Sequence, residues 1–149
     1  MKYYIKSSEH IFAMALPKKE VAARLDEVTR PLTQHLIKIM LWPGSRDAAH
    51  WRQEIYNFLH NVSKIKGTNK FPSANFIYKH TIGSNTDLIS VWHDHIVDDY
   101  IAQHGSSRWG FDEYAIQDYF RWLAGRLSEV GEVSRREVYA AIDEYLLSE

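Results

Sequence analysis

Apolar residues recur at every third or fourth position along most of the chain, and that spacing constrains the fold more than any motif does. In KKEVAARLDEVTRPLTQHLIKIMLW, residues 18–42, Val21, Leu25, Val28, Leu32, Leu36, Ile39 and Met40 fall on one stripe of an α-helix. A second stripe is formed by Trp51, Ile55, Phe58, Leu59 and Val62, and a third by Ile89, Trp92, Ile96 and Tyr100 in a helix expected over residues 86–104, with Gly105 as its stop. Residues 112–130 align Ile116, Tyr119, Phe120, Leu123 and Leu127 before Gly131 ends them. Ser134 and Glu137 of SRRE then match a capping box, in which each residue satisfies the other's free N–H. Behind it Val138, Ala141, Ile142 and Tyr145 make a last stripe. The fold class expected is all-α: a single-domain bundle of five to six helices over residues 1–149, with MKYYI at the start as a short strand or an extended arm.

The punctuation between stripes is equally informative. Pro17 suits the start of a helix, because the N–H it lacks would be unpaired there. Pro31 falls inside the first stripe, so that helix is expected either to kink or to restart with Thr29 as its cap. Pro43–Ser45 breaks the chain again, Ser45 being placed to cap the next helix and close a helical hairpin. KGTNKFPS, residues 66–73, reads as the longest loop, and ANFIYKHTIGSN as a short helix or irregular segment.

With no cysteine among 149 residues, disulfides and thiolate chemistry are excluded, and a metal would need His, Asp or Glu. The apolar run Ile11–Leu16 is too short for a signal-peptide core or a membrane span, so a cytoplasmic protein is expected. The formal net charge of −1 hides a division. Residues 1–80 carry 13 Lys/Arg against 6 Asp/Glu, and residues 81–149 carry 5 against 13. Either the two halves neutralise each other in the fold, or one face is left charged for a partner.

The hairpin PLTQHLIKIMLWPGSRDAAHWRQEI, residues 31–55, resembles the bacterial domain-of-unknown-function family twenty-nine. The shared elements are His35, Leu36 and Lys38 in the first helix, Pro43 and Arg46 in the loop, and the pair Trp51–Arg52 opening the second. The resemblance covers about residues 20–65 and leaves 75–149 as unassigned helices. It implies a helical bundle and no activity, since that family has none established.

Four groups of residues bear chemistry. In VWHDHIVDDY, residues 91–100, two histidines and three aspartates lie within seven residues. His95 and Asp99 stand one turn apart and could share a metal, although an aspartate-rich helix face ordinarily meets water. Arg30 and His35 are similar to the arginine and histidine pair of HEPN-type helical ribonucleases, in which histidine acts as acid and base on a ribose hydroxyl. His35 also lies near the apolar stripe, where a core histidine is the plain reading. His50 and Glu54 read as a surface pair that fixes the hairpin. Basic residues between 38 and 80, among them Lys64, Lys66 and Lys70, alternate with aromatics as in single-strand nucleic-acid grips. No glycine-rich phosphate loop and no Ser-His-Asp arrangement is discernible.

These weak chemical signals favour a non-enzymatic module, such as a small inhibitor or immunity-type protein, that binds a basic protein. Its expected face comprises Asp87, Asp94, Asp98, Asp99, Asp112, Glu113 and Asp118, with Trp109 as an anchor beside Trp92, Tyr100 and Trp122. No cofactor is called for. The alternatives are a ribonuclease using Arg30 and His35, a metal-dependent hydrolase using residues 93–99, and a nucleic-acid binder.

Overall fold

The computed structural model describes residues 17–63, 72–104 and 111–148. Six α-helices occur among them: α1 (Lys18–Leu41), α2 (Ala48–Ser63), α3 (Ala74–Lys79), α4 (Thr86–His104), α5 (Glu113–Val130) and α6 (Arg135–Ala141). A 3-10 turn, Ile82–Ser84, links α3 to α4, and a π turn, Ile142–Leu146, continues α6. No strand is present among the described residues, so the all-α expectation holds. MKYYI, the Gly105 stop and the segment 64–71 lie outside the described residues.

Helix α1 packs chiefly on α2, and also on α4; α3 packs on α5. One apolar cluster joins them all, and in it Leu25, Leu32, Leu36, Ile37, Ile39 and Met40 of α1 are at most 1% exposed. From the second half come Ile89, Trp92, Ile116, Phe120, Leu127 and Val138, all buried. Among the described residues no helix is long and apolar enough to cross a membrane.

Pro31 does not restart α1, which runs unbroken for 24 residues. A proline inside a helix costs about 3 kcal/mol, and burying one leucine side chain contributes about 1.5–3 kcal/mol. Leu32 and Leu36 directly after Pro31 therefore offset the loss, because only a continued helix keeps both in the core. Thr29 is accordingly no cap: it is buried, and its hydroxyl donates to the carbonyl of Leu25 at 2.9 Å. Ser45 is not the cap of α2 either. That helix begins at Ala48, and the Ser45 hydroxyl accepts the N–H of Asp47 at 3.1 Å, shaping the turn before it.

The other helix ends follow their local chemistry. Asp112 caps α5, accepting the N–H of Tyr114 at 3.0 Å. Gly131 closes that helix at φ 78°, a left-handed conformation that costs other residues about 1–2 kcal/mol. Ser134 and Glu137 form the complete capping box of α6. Gly83 has a different reason: a Cβ there would lie 2.7 Å from the Tyr78 carbonyl, so only glycine lets the 3-10 turn fold back on α3.

Candidate functional site

Helices α1 and α4 advance in the same direction where they touch. Lys38 meets Tyr100, and four residues further along each helix Trp42 lies 5.3 Å from His104, ring centre to ring centre. Beside this contact the helices part, leaving a cleft of about 270 Å³. Its α1 wall is Arg30, Gln34 and Lys38, which repeat every four residues and so share one edge of the helix. Its α4 wall carries His95, Asp98 and Asp99, with Ile96 and Tyr100 deeper between the helices.

Lys38 is the unusual member, being only 9% exposed. Its ammonium donates to the Tyr100 hydroxyl at 3.2 Å and lies 4.5 Å from that ring's centre, with the Trp51 ring 5.9 Å away. It forms no ion pair among the described residues. A buried cation is costly to keep without a counter-charge, and aromatic faces compensate only in part.

Two candidates from the sequence, Arg30 and the segment around His95, thus meet across one cleft. Arg30 and His35 do not. His35 turns to the opposite side of α1, where its Nδ1 is 2.7 Å from the Pro31 carbonyl and its ring meets Phe58 edge-on at 5.2 Å. Burial holds its pKa below the ordinary value, against the raising effect of the Pro31 carbonyl, with the Lys38 charge lowering it further. It therefore serves as a packed, neutral side chain, and within one chain it shares no cleft with Arg30. His50 and Glu54 make no ion pair with each other.

Among the described residues no three His, Asp or Glu side chains come together as a metal would need, so His95 and Asp99 have no third ligand at hand. His93 instead stacks on Phe111 at 4.3 Å and sits 3.1 Å from the Asp94 carboxylate. The basic region is dispersed in its described part, where Lys38 is buried and Arg52 pairs with Asp143 at 2.7 Å. Lys64, Lys66, Lys70 and Trp109 lie outside the described residues.

The expected acidic face divides. Asp112 is occupied as a helix cap, and Asp118 pairs with Arg121 at 3.2 Å. Glu113 is half-buried in the first turn of α5. Asp87, Asp98 and Asp99 are exposed and have no ion pair among the described residues, while Asp94 touches only its neighbour His93. Of the expected aromatic anchors, Trp92 is in the core at 5% exposure, and Tyr100 and Trp122 are half-buried. Among the described residues, α4 exposes Leu88 at 42% and Val91 at 44%. Their spacing from His95 and Asp98 was the available signal, since positions 88, 91, 95 and 98 follow one helix face.

One arrangement that the sequence hides is Ser45, His104 and Asp47. His104 Nδ1 lies 3.2 Å from the Ser45 hydroxyl, and its Nε2 lies 3.9 Å from Asp47. The order is that of a hydrolase relay, but 3.9 Å is too long for a hydrogen bond. The imidazole is also only 7% exposed, walled in by Trp42, Trp51 and Tyr100. The cluster pins the loop after α1 onto the end of α4, giving its residues a structural task.

The chain matches no protein-family model, no curated protein and no solved structure.

Proposed function

We propose that the protein is a non-enzymatic binding module that engages a basic protein through the outer face of α4. The observation that supports this reading is the exposed row of Leu88 and Val91, flanked by Asp87, Asp94, Asp98 and Asp99. Two large apolar side chains at the centre of an acidic field have the make-up of a protein interface, with an apolar middle to be dried and a charged margin that selects and steers the partner. An inhibitor or immunity-type role fits, because a nuclease or other basic effector would complement such a face. The cleft supports an enzyme less well, for it brings together no nucleophile with a base and no metal-ligand set.

The test is to capture the partner from a lysate of the source organism at low salt, then measure its affinity for defined variants. A basic protein is expected, released as salt rises. Leu88→Ala with Val91→Ala, and separately Asp94→Lys with Asp98→Lys, should each weaken binding at least about tenfold without lowering Tm. An affinity that ignores both pairs of changes sinks the assignment to this face.

A further inference from the structure

The two walls of the α1–α4 cleft carry opposite charges that do not meet. Arg30 and Lys38 stand on one side and Asp98 and Asp99 on the other, and no ion pair joins any of the four. For Arg30, Asp98 and Asp99, which are exposed, water is partner enough. Lys38 differs, since it is 9% exposed, and of its three N–H donors one is taken by the Tyr100 hydroxyl. Its other two donors have no hydrogen-bond partner among the described residues, and Lys38 is one of the residues lining the cleft.

A plain anion drawn to Lys38 and Arg30 would face two carboxylates, and a plain cation at Asp98 and Asp99 would face two fixed positive charges. Metal ions are disfavoured for the reason already given, the lack of a third ligand. A ligand that carries both signs satisfies both walls. At about 270 Å³ the space falls just under the range of about 300–1,000 Å³ typical of drug-sized ligands, which suits a smaller molecule.

We propose that this cleft binds a small zwitterion of the α-amino-acid class. Its carboxylate lies at the inner end on Lys38 and Arg30, with the Gln34 amide donating to it. Its ammonium lies at the mouth between Asp98 and Asp99, and its side chain runs along Ile96 and Tyr100. This site goes beyond the protein-binding reading: it shares Asp98 and Asp99 with that face but depends on Arg30 and Lys38, which that face does not use.

Calorimetric titration of the full chain with glycine, L-alanine, L-leucine, L-phenylalanine, L-glutamate and L-lysine tests it, with acetate and methylammonium as single-charge probes. At least one amino acid should bind about tenfold or more tightly than either single-charge probe. Arg30→Gln, and Asp98→Asn with Asp99→Asn, should each cost that ligand about tenfold to a hundredfold in affinity, the loss expected for a charged hydrogen bond. Leu88→Ala should leave the affinity unchanged. Arg30 and the two aspartates are exposed, so these variants keep the test open even where Lys38→Met fails to fold. The proposal is overturned if no amino acid binds, if acetate or methylammonium binds as tightly as the best amino acid, or if binding survives either the Arg30 or the aspartate change.

Discussion

The charged groups of α5 and α6 and those of α1 and α4 are of the same kinds, yet they are used differently. At the α5–α6 end several charges have ion-pair partners, although Glu113, Glu132, Arg135, Arg136 and Glu144 have none among the described residues. Arg126 reaches Glu137 at 2.7 Å and Glu129 at 3.4 Å, Arg121 reaches Asp118, and Arg52 crosses from α2 to Asp143. Beside α4, Arg30, Lys38, Asp87, Asp98 and Asp99 have none among the described residues. The pairs Arg126–Glu137 and Arg52–Asp143 tie different helices together, whereas the exposed unpaired carboxylates of α4 contribute little to the fold.

The contrast can be broken most forcefully at Glu137. This carboxylate accepts the Ser134 N–H at 3.0 Å and the Arg126 guanidinium, and those contacts hold its pKa below the ordinary value, the Ser134 N–H contributing most. Glu137→Ala removes half of a capping box and one ion pair. The expected loss is about 1–2 kcal/mol, read as a lower denaturation midpoint at neutral pH. Because the folded-state pKa is depressed, this contribution is present above the unfolded value of 4.5 and fades as pH falls through the folded one. The variant and the parent should therefore converge in acid.

A smaller effect belongs to His35, the packed counterpart of Arg30 on α1. Its folded-state pKa lies below the unfolded value of 6.5, so the unfolded chain binds the proton more readily. Stability is then highest above that value and falls as pH drops through it toward the folded one. Between about pH 7.5 and about pH 5.5, Tm should fall more in the parent than in His35→Phe, which keeps a ring against Phe58 and cannot titrate. Equal slopes would remove His35 from the packed side of the comparison.

The smallest effect should come from the unpaired charges. Asp98→Asn with Asp99→Asn is expected to change stability by less than about 0.5 kcal/mol, as exposed sites without contacts do. A loss as large as that at Glu137, measured by the same denaturation curve, would show that these carboxylates are structural and erase the distinction.

Much of the fold was legible because its signals are local. The stripe from Val21 to Met40, the Gly131 stop and the Ser134–Glu137 box need only neighbours within a turn or two, and each formed as the spacing predicts. Of the two readings of Pro31, the restart fails because burial decides: Leu32 and Leu36 keep the helix continuous against the proline's own preference. The site was legible only in pieces. Arg30 and the His95–Asp99 segment were each visible, but their meeting depends on α1 lying beside α4, across a separation that periodicity does not record. Lys38 stood in the sequence among the basic residues from 38 onward, and only the approach of Tyr100 and Trp51 makes it a buried one. Leu88 and Val91 were passed over because α4 carries apolar residues on more than one side, so its stripe does not announce which side is covered.

The π turn at the chain's end has a consequence for counting. From Ile142 to Leu146 the backbone takes more residues per revolution than the 3.6 of an α-helix. Across this turn Ile142 and Leu146 both lie in the core, and Asp143 meets Arg52. A helix of ordinary pitch would also bring Ile142 and Leu146 to one side, since residues four apart share a face, but it would set the residues after them at a different angle to the core. The final turn is thus fixed by how many residues it contains as much as by which ones, so in this stretch chain length is itself a structural variable.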